Sequence, residues 1–146
     1  MKISDILVID DDILTNKIIQ KIIFMTEFRN IVSTFKNGKE ALVHLDAKGK
    51  DLDQVLIFLD LNMPVLNGWE FLEKLKDRGY KNKMNVLIMS SSTAMSDKKK
   101  SEKYPQVMGY LEKPLATDTL LDIIDLFKTN IIIPKMAMES GSCVKN

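Results

Sequence analysis

The sequence has very little of the residues on which many small proteins rely for cross-linking or catalysis. Its 146 residues include one cysteine, Cys143, and one histidine, His44. A single cysteine excludes an intrachain disulfide, and a Cys–His hydrolase would need Cys143, in a polar C-terminal stretch, to lie beside His44. Lysine and arginine total 21 and aspartate and glutamate 20, a net charge of +1, so no overall charge favours binding to nucleic acid.

Long apolar runs are also missing. The N-terminal residues contain no signal-peptide apolar region, and no stretch of about 18 apolar residues occurs anywhere in the chain. From these absences we expect a cytoplasmic protein with no membrane partner and no nucleic-acid partner. The length favours one domain, because a single core usually serves about 100–200 residues. We place that domain at residues 1–128, followed by an extension over residues 129–146.

The sequence does contain a regular alternation of short apolar runs and helical patterns. Several of the runs end abruptly at a polar residue, which is typical of parallel strands buried on both faces. The five predicted strands cover residues 6–9, 31–35, 55–59, 86–89 and 107–111. Strands that alternate with helices predict an α/β fold with right-handed crossovers. We expect a doubly wound, five-stranded parallel sheet in the flavodoxin-like order 2-1-3-4-5.

Five helices are expected, one after each strand. The second should cover residues 38–48, and the fourth, the shortest and most polar, about residues 96–103. Thr117 is a candidate N-cap for the fifth. Apolar residues at helical spacing predict the buried faces of the other helices: Leu14, Ile18, Ile22 and Met25 in the first, Phe71, Leu72 and Leu75 in the third, and Leu120, Leu121, Ile124 and Phe127 in the fifth.

The turn after the first predicted strand is acidic and has no glycine. Because the first glycine of the chain is Gly38, a glycine-rich phosphate loop or dinucleotide-binding turn is excluded there. The turn instead reads Asp10-Asp11-Asp12, and Asp60 follows the third strand. In the predicted order, strands one and three are neighbours, so Asp10 or Asp11 should meet Asp60 at one edge of the sheet.

Clustered carboxylates repel one another unless one takes up a proton or a cation neutralises them. With oxygen ligands alone, the predicted cluster favours a hard divalent ion, Mg²⁺ first and Mn²⁺ second. A simpler interpretation, in which an acid of this turn only caps the first helix, suits Asp12 by itself. It does not explain acids at two separate strand ends.

Two further strand ends carry groups that suit a phosphoryl ligand. Ser90 ends the fourth strand with a hydroxyl donor, and Lys113 follows the fifth, where its ammonium group can balance a bound phosphoryl group. Taken singly, these are more simply a strand-capping serine and a solvated lysine. Their coincidence with the acids favours a phosphoryl site. Pro114 raises the chance of a cis peptide bond at Lys113.

Four segments of the sequence together resemble a known family. Residues 6–12 read ILVIDDD, residues 59–64 read LDLNMP and are followed by Asn67-Gly68, residues 86–90 read VLIMS, and residues 109–114 read GYLEKP. In this order and at strand ends, these motifs resemble the receiver domain of two-component response regulators, including the single-domain proteins similar to the chemotaxis regulator. The resemblance covers about residues 4–128.

The resemblance implies a metal-assisted phosphoacceptor. Asp60 would accept a phosphoryl group from the histidine of a kinase and become an acyl phosphate. Asp11 would bind Mg²⁺ directly and Asp10 through water, while Asn62 would offer its backbone carbonyl to the metal. Slow self-hydrolysis of the acyl phosphate is expected, with Asn62 and Ser92 at the positions where the family tunes that rate.

The resemblance also implies a switch beside the phosphoryl group. Ser90 would donate a hydrogen bond to a phosphoryl oxygen, Lys113 would pair with the phosphate, and Tyr110 would turn inward when Ser90 is drawn towards it. Threonine is also common at the position of Ser90 in the family, and serine lacks the methyl group that would pack beside the switch.

The implied partners follow from these roles. A sensor histidine kinase or a histidine phosphotransfer protein would supply the phosphoryl group. A downstream protein would bind through the surface of helix four, strand five and helix five, and the chain would be a monomer or a homodimer. The output would be a phosphorylation-dependent surface change and not a reaction on a small substrate.

Two other functions stay open on the sequence. A Mg²⁺-dependent phosphohydrolase of the haloacid-dehalogenase type uses an Asp-x-Asp-x-Thr/Val motif after its first strand, and the segment from Asp10 to Leu14 matches only the two acids. That reading also leaves Asp60 unexplained. A phosphorylation-independent binding module with the same fold is the other alternative, and the complete set of acids, hydroxyl and lysine argues against it.

A few features of the sequence are not explained by any of these functions. The run Lys98-Lys99-Lys100 with Lys103 predicts a solvated helix face or, alternatively, a docking surface for an acidic partner. His44 is expected at the surface or half-buried, and Trp69 is expected to be a packing residue. The apolar run at residues 131–133 predicts a last turn folded over the domain or an arm that docks on a second subunit.

Overall fold

Five parallel strands form one sheet in the order β2-β1-β3-β4-β5, which confirms the predicted topology. The structure, a computed structural model, describes residues 2–91 and 95–129. Ser92, the apolar run at residues 131–133 and Cys143 lie outside the described residues. The strands are β1 (Ile3–Ile9), β2 (Val32–Phe35), β3 (Gln54–Asp60), β4 (Met84–Ser90) and β5 (Val107–Glu112).

Helices connect successive strands and cover both faces of the sheet. The second matches its predicted bounds, and the fourth begins and ends slightly earlier than predicted. The helices are α1 (Ile13–Ile23), α2 (Gly38–Lys48), α3 (Gly68–Leu75), α4 (Met95–Ser101) and α5 (Thr117–Lys128). Among the described residues, no helix is both long and apolar enough to cross a bilayer.

The core is divided by the sheet into two layers. On one face, β1 and β3 pack against α2 and α3, and Phe71 of α3 is fully buried there. On the other face the same strands pack against α1 and α5, around the fully buried Phe58. Burial of each such side chain contributes about 1.5–3 kcal/mol. The strands are apolar on both faces because helices cover both.

Of the four apolar residues predicted to form the buried face of α1, only Ile22 is buried. Leu14, Ile18 and Met25 are exposed, and the helix buries Asn16, Ile19 and Ile23 together with Ile22. Isoleucines surround much of this helix, so the apolar pattern allows more than one rotation about its axis. Hydrogen bonds from the Asn16 side chain to the backbone oxygens of Asp10 and Phe35, at 2.8 and 3.3 Å, fix the observed rotation.

The predicted cap of α5 is also displaced. Ala116, with extended backbone dihedrals, is the N-cap residue and makes no side-chain capping bond, and Thr117 is already inside the helix. The apolar positions of α3 are buried as predicted, as are Leu120 and Ile124 of α5. The packing of α5 against the sheet therefore sets the start of this helix, without help from a polar cap.

Candidate functional site

Three acidic side chains converge at the carboxyl edge of the sheet. Ile9 and Leu59 are register partners on β1 and β3, so the residues that follow them, Asp10 and Asp60, leave the sheet side by side. Carboxylate oxygens of Asp10, Asp11 and Asp60 lie within 4.8 Å of one another. Asp10 and Asp60 are buried, whereas Asp11 is exposed.

The start of α1 fixes the position of Asp10. The backbone N–H of Asp12 donates to Oδ1 of Asp10 at 2.9 Å. Asp12 is the N-cap of the helix and accepts hydrogen bonds from the backbone of Leu14 and the hydroxyl of Thr15, both at 3.0 Å. These bonds, that of Thr15 first, lower the pKa of Asp12. The carboxylate of Asp12 therefore caps α1. The side-chain amide of Asn16 donates a hydrogen bond to the backbone carbonyl of Asp10.

Lys113 provides the only cation within ion-pair distance of these acids in the part of the chain that the structure describes. Its ammonium nitrogen lies 2.5 Å from Oδ2 of Asp10 and 3.6 Å from Oδ1 of Asp60. Its backbone N–H donates to the carbonyl of Ser90 at 2.8 Å, and the Lys113–Pro114 bond is cis. Burial disfavours the ammonium form, but the hydrogen bond and charge of Asp10, then those of Asp60, outweigh it and raise the pKa of Lys113.

The surroundings of Asp60 disfavour the ionised form of its carboxyl group. Burial, followed by the charge of Asp10, raises its pKa to about 6, although Lys113 and the backbone N–H of Asn62 act in the opposite direction. Only 5% of Asp60 is exposed, and the Asn62 N–H donates to its Oδ1 at 3.3 Å. One ammonium group therefore does not neutralise the buried pair, and a further positive charge at the edge would be favourable.

The loop after Asp60 packs closely against the end of β3. A Cβ atom on Gly68 would lie 2.7 Å from the backbone oxygen of Asp60 and 2.8 Å from the Cα of Leu61, so only glycine fits there. The preceding residue, Asn67, forms a capping box with Glu70 at the start of α3. The sequence pattern Asn67-Gly68 was therefore a signal for the loop geometry, although its contact with Asp60 is visible only in the structure.

Ser90 and Tyr110 lie next to the acidic cluster on β4 and β5. Asp60 is the register partner of Met89, so Ser90 is one residue beyond it on the neighbouring strand, and Ser90 is buried. Tyr110 is buried as well, which raises its pKa, while a side-chain hydrogen bond with Ser90 acts in the opposite direction. The ammonium nitrogen of Lys98 lies 5.8 Å from the centre of the Tyr110 ring.

The structure brings together all seven residues selected from the sequence: Asp10, Asp11, Asp60, Asn62, Ser90, Tyr110 and Lys113 lie at or beside the carboxyl edge of β1, β3, β4 and β5. Asn16 and the close approach of Gly68 were not anticipated. A polar residue inside an otherwise apolar helix, as at Asn16, is the signal that could have identified the first.

The remaining singled-out residues lie elsewhere. His44 is half-buried, with its Nε2 atom 3.6 Å from Oδ1 of Asp5 and its ring against Phe35. Trp69 packs against the core, and the ammonium nitrogen of Lys100 lies 4.6 Å from the centre of its ring. The basic run is thus partly engaged with aromatic rings and is not simply a solvated face.

Comparisons with known proteins point to one family. The family model of the response regulator receiver domain matches residues 6–125. Two-component response regulator 24 of Arabidopsis thaliana is 32% identical over 118 residues, covering 81% of this chain and 79% of that protein. Two-component response regulator ARR7 of the same plant is 32% identical over 97 residues, which cover 62% of this chain and 46% of that protein.

The fold has close structural relatives. A two-component response regulator from Cytophaga hutchinsonii superposes with a TM-score of 0.73 and 32% sequence identity, over 88% of this chain and 99% of that one. The match therefore covers nearly the full length of the Cytophaga hutchinsonii protein. By contrast, this chain spans slightly less than half the length of ARR7.

Proposed function

We infer the function of this chain from one premise: it belongs to the response regulator receiver domain family. Members of this family are two-component response regulators, and a receiver domain is generally a phosphoacceptor. We propose that residues 1–128 act as a stand-alone receiver that takes a phosphoryl group on Asp60 from a phosphohistidine, with residues 129–146 as an extension. The donor is a histidine kinase or a histidine phosphotransfer protein.

The observation that carries this proposal is the geometry around Asp60. Its carboxylate lies beside two other acids and 3.6 Å from the ammonium nitrogen of Lys113. In the proposed step an oxygen of Asp60 forms a bond to phosphorus while the bond from phosphorus to the donor nitrogen breaks. Transfer of this kind depends on in-line positioning and on neutralisation of the phosphoryl oxygens. Lys113 can pair with one of these oxygens, and the hydroxyl of Ser90 can donate to another.

The acidic cluster fits a hard divalent cation. Its ligand atoms are oxygens, three carboxylates converge within 4.8 Å, and burial, followed by the charge of Asp10, raises the pKa of Asp60. We propose that Asp10, Asp11, Asp60 and the backbone carbonyl of Asn62 hold Mg²⁺ or Mn²⁺. When bound, the ion supplies positive charge to the phosphoryl oxygens. Asp11, the exposed acid of the three, is accessible to the ion from solvent.

We propose that the output is a change in surface shape. Tyr110 is packed inside the domain beside Ser90, so a movement of Ser90 towards a phosphoryl group would alter the packing of the ring. Because Lys98 of α4 lies over that ring, the change would extend to α4 and thereby to the surface of α4, β5 and α5. A downstream protein that binds this surface would read the change.

The phosphohydrolase alternative is not favoured by the structure. Its second motif acid would be Asp12, but both carboxylate oxygens of Asp12 accept hydrogen bonds within the first turn of α1. A general acid needs a free oxygen directed at the substrate. Asp60, which that mechanism does not use, is instead central to the site.

The experiment that tests the proposed function is labelling with acetyl phosphate in the presence and absence of Mg²⁺, with mass spectrometry to locate the modified residue. We expect Mg²⁺-dependent modification of Asp60, which is lost in Asp60→Asn. The matched control is Asp118→Asn, which removes an exposed acid of α5 and should leave labelling unchanged. Labelling of Asp60→Asn at another residue, to the same extent as the original chain, would contradict the assignment. Labelling of Asp60 to the same extent with and without Mg²⁺ would also contradict it.

A further inference from the structure

A cavity opens at the amino ends of β4 and β5, at the opposite edge of the sheet from the acidic cluster. Its volume is about 540 Å³, and cavities of about 300–1,000 Å³ are typical of small-molecule sites. Met84 begins β4 and lines this cavity, whereas Ser90 ends the same strand beside the acidic cluster, about 20 Å away. The cavity is therefore separate from the acidic edge, and its chemistry is independent of the proposed function.

The wall of the cavity is basic, although the whole chain is nearly neutral. Lys76, Lys81 and Lys103 line it, and none of the described residues that line it is acidic. The ammonium nitrogen of Lys76 already lies 3.1 Å from Oε2 of Glu73. In the described part of the chain, no carboxylate lies within ion-pair distance of Lys81 or Lys103. Two ammonium groups of the wall can therefore pair with an anion.

Apolar side chains also line the cavity. They come from Met84, Pro105 and Met108, of which Met84 is buried and Met108 is half-buried. The register of β5 against β4 passes over Met108, between Val107 and Gly109, so Met108 forms a β-bulge. Bulges are rare between parallel strands and redirect side chains. Because a methionine sulfur makes favourable contacts with aromatic rings, this part of the wall suits the flat ring of a ligand.

Gln106 has a buried side-chain oxygen without a partner. The residue lines the cavity and is only 9% exposed, and its Oε1 atom makes no hydrogen bond with the described residues. Its backbone carbonyl accepts the N–H of Val86 at 2.8 Å, which holds the main chain in place. A buried amide oxygen without a donor is unfavourable, and the terminal torsion of glutamine rotates readily. The amide can therefore turn towards the cavity and accept an N–H group from a ligand.

The polar groups of the wall indicate which ligand it would take. A second amide, that of the exposed Asn82, lines the same cavity as Gln106. Side-chain amides of asparagine and glutamine pair with the amino group and ring nitrogen of adenine, and lysines pair with phosphate. A nucleoside phosphate combines an anionic group, a flat ring and an N–H donor in one molecule of suitable size.

We propose that this cavity binds a nucleoside phosphate such as AMP. The phosphate lies between the ammonium groups of Lys81 and Lys103. The base packs against Met108, and its amino group donates a hydrogen bond to Oε1 of Gln106. Inorganic phosphate lacks the base, adenosine lacks the charge, and glucose 6-phosphate lacks the flat ring and the amino group. Each of these three compounds should therefore bind more weakly than AMP.

The test is an NMR titration of the full ¹⁵N-labelled chain with AMP, adenosine, inorganic phosphate and glucose 6-phosphate. A chelator is present throughout, so that no complex of nucleotide and divalent metal forms at the acidic edge. We expect AMP to shift the backbone amide signals of Asn85 and Gln106 in a saturable way, because both residues line the cavity. The signals of Asp11 and Asp60 should not move.

Substitutions separate the parts of the site. The double variant Lys81→Gln, Lys103→Gln should weaken AMP binding by about threefold to thirtyfold, because two exposed ion pairs are lost, and should leave adenosine binding unchanged. Gln106→Met should weaken binding of AMP and adenosine but not of inorganic phosphate. The matched control Lys17→Gln, Lys21→Gln removes two exposed lysines of α1, outside the cavity, and should bind AMP as the original chain does.

Three outcomes would overturn the proposal. The first is the absence of a saturable shift at Asn85 and Gln106 with AMP. The second is equal affinity for AMP and for glucose 6-phosphate or inorganic phosphate, which would show an anion-binding patch that recognises no base. The third is equal weakening of AMP binding by the two double variants, which would show a nonspecific effect of charge. Acetyl phosphate labelling of Asp60 in the same variants tests the proposed function separately.

Discussion

The ammonium nitrogen of Lys113 lies 2.5 Å from Oδ2 of Asp10, a carboxylate with no exposed surface. The same nitrogen is 3.6 Å from Oδ1 of Asp60. One lysine thus bridges two acids that come from different strands and are separated by 50 positions in the sequence. Because two carboxylates share one ammonium group, the charge of the edge is not balanced, and Lys113 and a bound cation would repel each other across it.

We therefore predict that Lys113→Met increases Mg²⁺ affinity while it slows phosphorylation of Asp60. Removal of a positive charge a few ångströms from the cation should tighten binding by about threefold to tenfold, since solvent and neighbouring groups screen most of the repulsion. Mg²⁺ titration monitored by NMR measures the affinity, and acetyl phosphate labelling measures the rate. Lys36→Met, at an exposed lysine, is the control. Weaker Mg²⁺ binding in Lys113→Met would mean that the lysine organises the acids more than it repels the ion.

The raised pKa of Asp60 predicts a pH-dependent stability of the metal-free protein. The folded carboxyl group keeps its proton up to about pH 6, whereas the unfolded chain releases it near the ordinary value of 3.8. The free energy of unfolding should therefore fall as the pH rises from about 4 to about 6. A difference of roughly two pKa units corresponds to about 2–3 kcal/mol.

The Asp60→Asn variant should not show this fall in unfolding free energy, because its amide does not titrate. In chelator it should be about 2–3 kcal/mol more stable than the unmodified chain above pH 7 and similar to it near pH 4. Urea unfolding at several pH values measures both quantities, with Asp118→Asn as the control. Saturating Mg²⁺ should reduce the difference in unfolding free energy between the two chains, because the ion stabilises only the chain that binds it. A gap that is constant with pH would show that the effect has another origin.

Much of the fold and of the acidic edge could be predicted because both depend on strong local patterns. Apolar runs that stop at a polar residue identified β3 and β4, and the strand order then placed Asp10 beside Asp60. The same reasoning failed for α1, where isoleucines occur on several sides. Its rotation is decided by the contact of Asn16 with the backbone of β1 and β2, which no periodicity contains.

The contact of Gly68 with the end of β3 cannot be predicted from the sequence for a similar reason. A glycine at the first position of a helix is ordinary, and only the three-dimensional structure shows that a Cβ atom there would lie 2.7 Å from the backbone oxygen of Asp60. The start of α5 was misplaced because its cap has no polar side chain to recognise. In each case the missing information is a contact between segments that are distant in the sequence or a position fixed by packing alone.

Gly68→Ala should disturb the site through the backbone. The new methyl group would lie 2.7 Å from the Asp60 oxygen, so the loop must move away from the strand end. We expect a loss of about 1–3 kcal/mol in unfolding free energy and weaker Mg²⁺ binding. Gly79→Ala is the matched control, since a Cβ at Gly79 has no neighbour within 4 Å and should change neither quantity. Unchanged Mg²⁺ affinity in Gly68→Ala would show that the loop adjusts without moving Asp60.

Asn16 offers the sharpest test of how the fold positions the acids, because it touches the backbone of Asp10 and not its carboxylate. Its amide donates at 2.8 Å to the Asp10 carbonyl, the point where β1 turns into α1. Asn16→Ala leaves that buried carbonyl without its side-chain donor and should cost about 1–3 kcal/mol of stability. Because Asp10 also accepts the N–H of Asp12, a loosened turn should move its carboxylate and weaken Mg²⁺ binding. Gln20→Ala, one turn further along α1, controls for helix truncation. If Asn16→Ala lost stability but kept its Mg²⁺ affinity, the turn would be held by the cap at Asp12 alone.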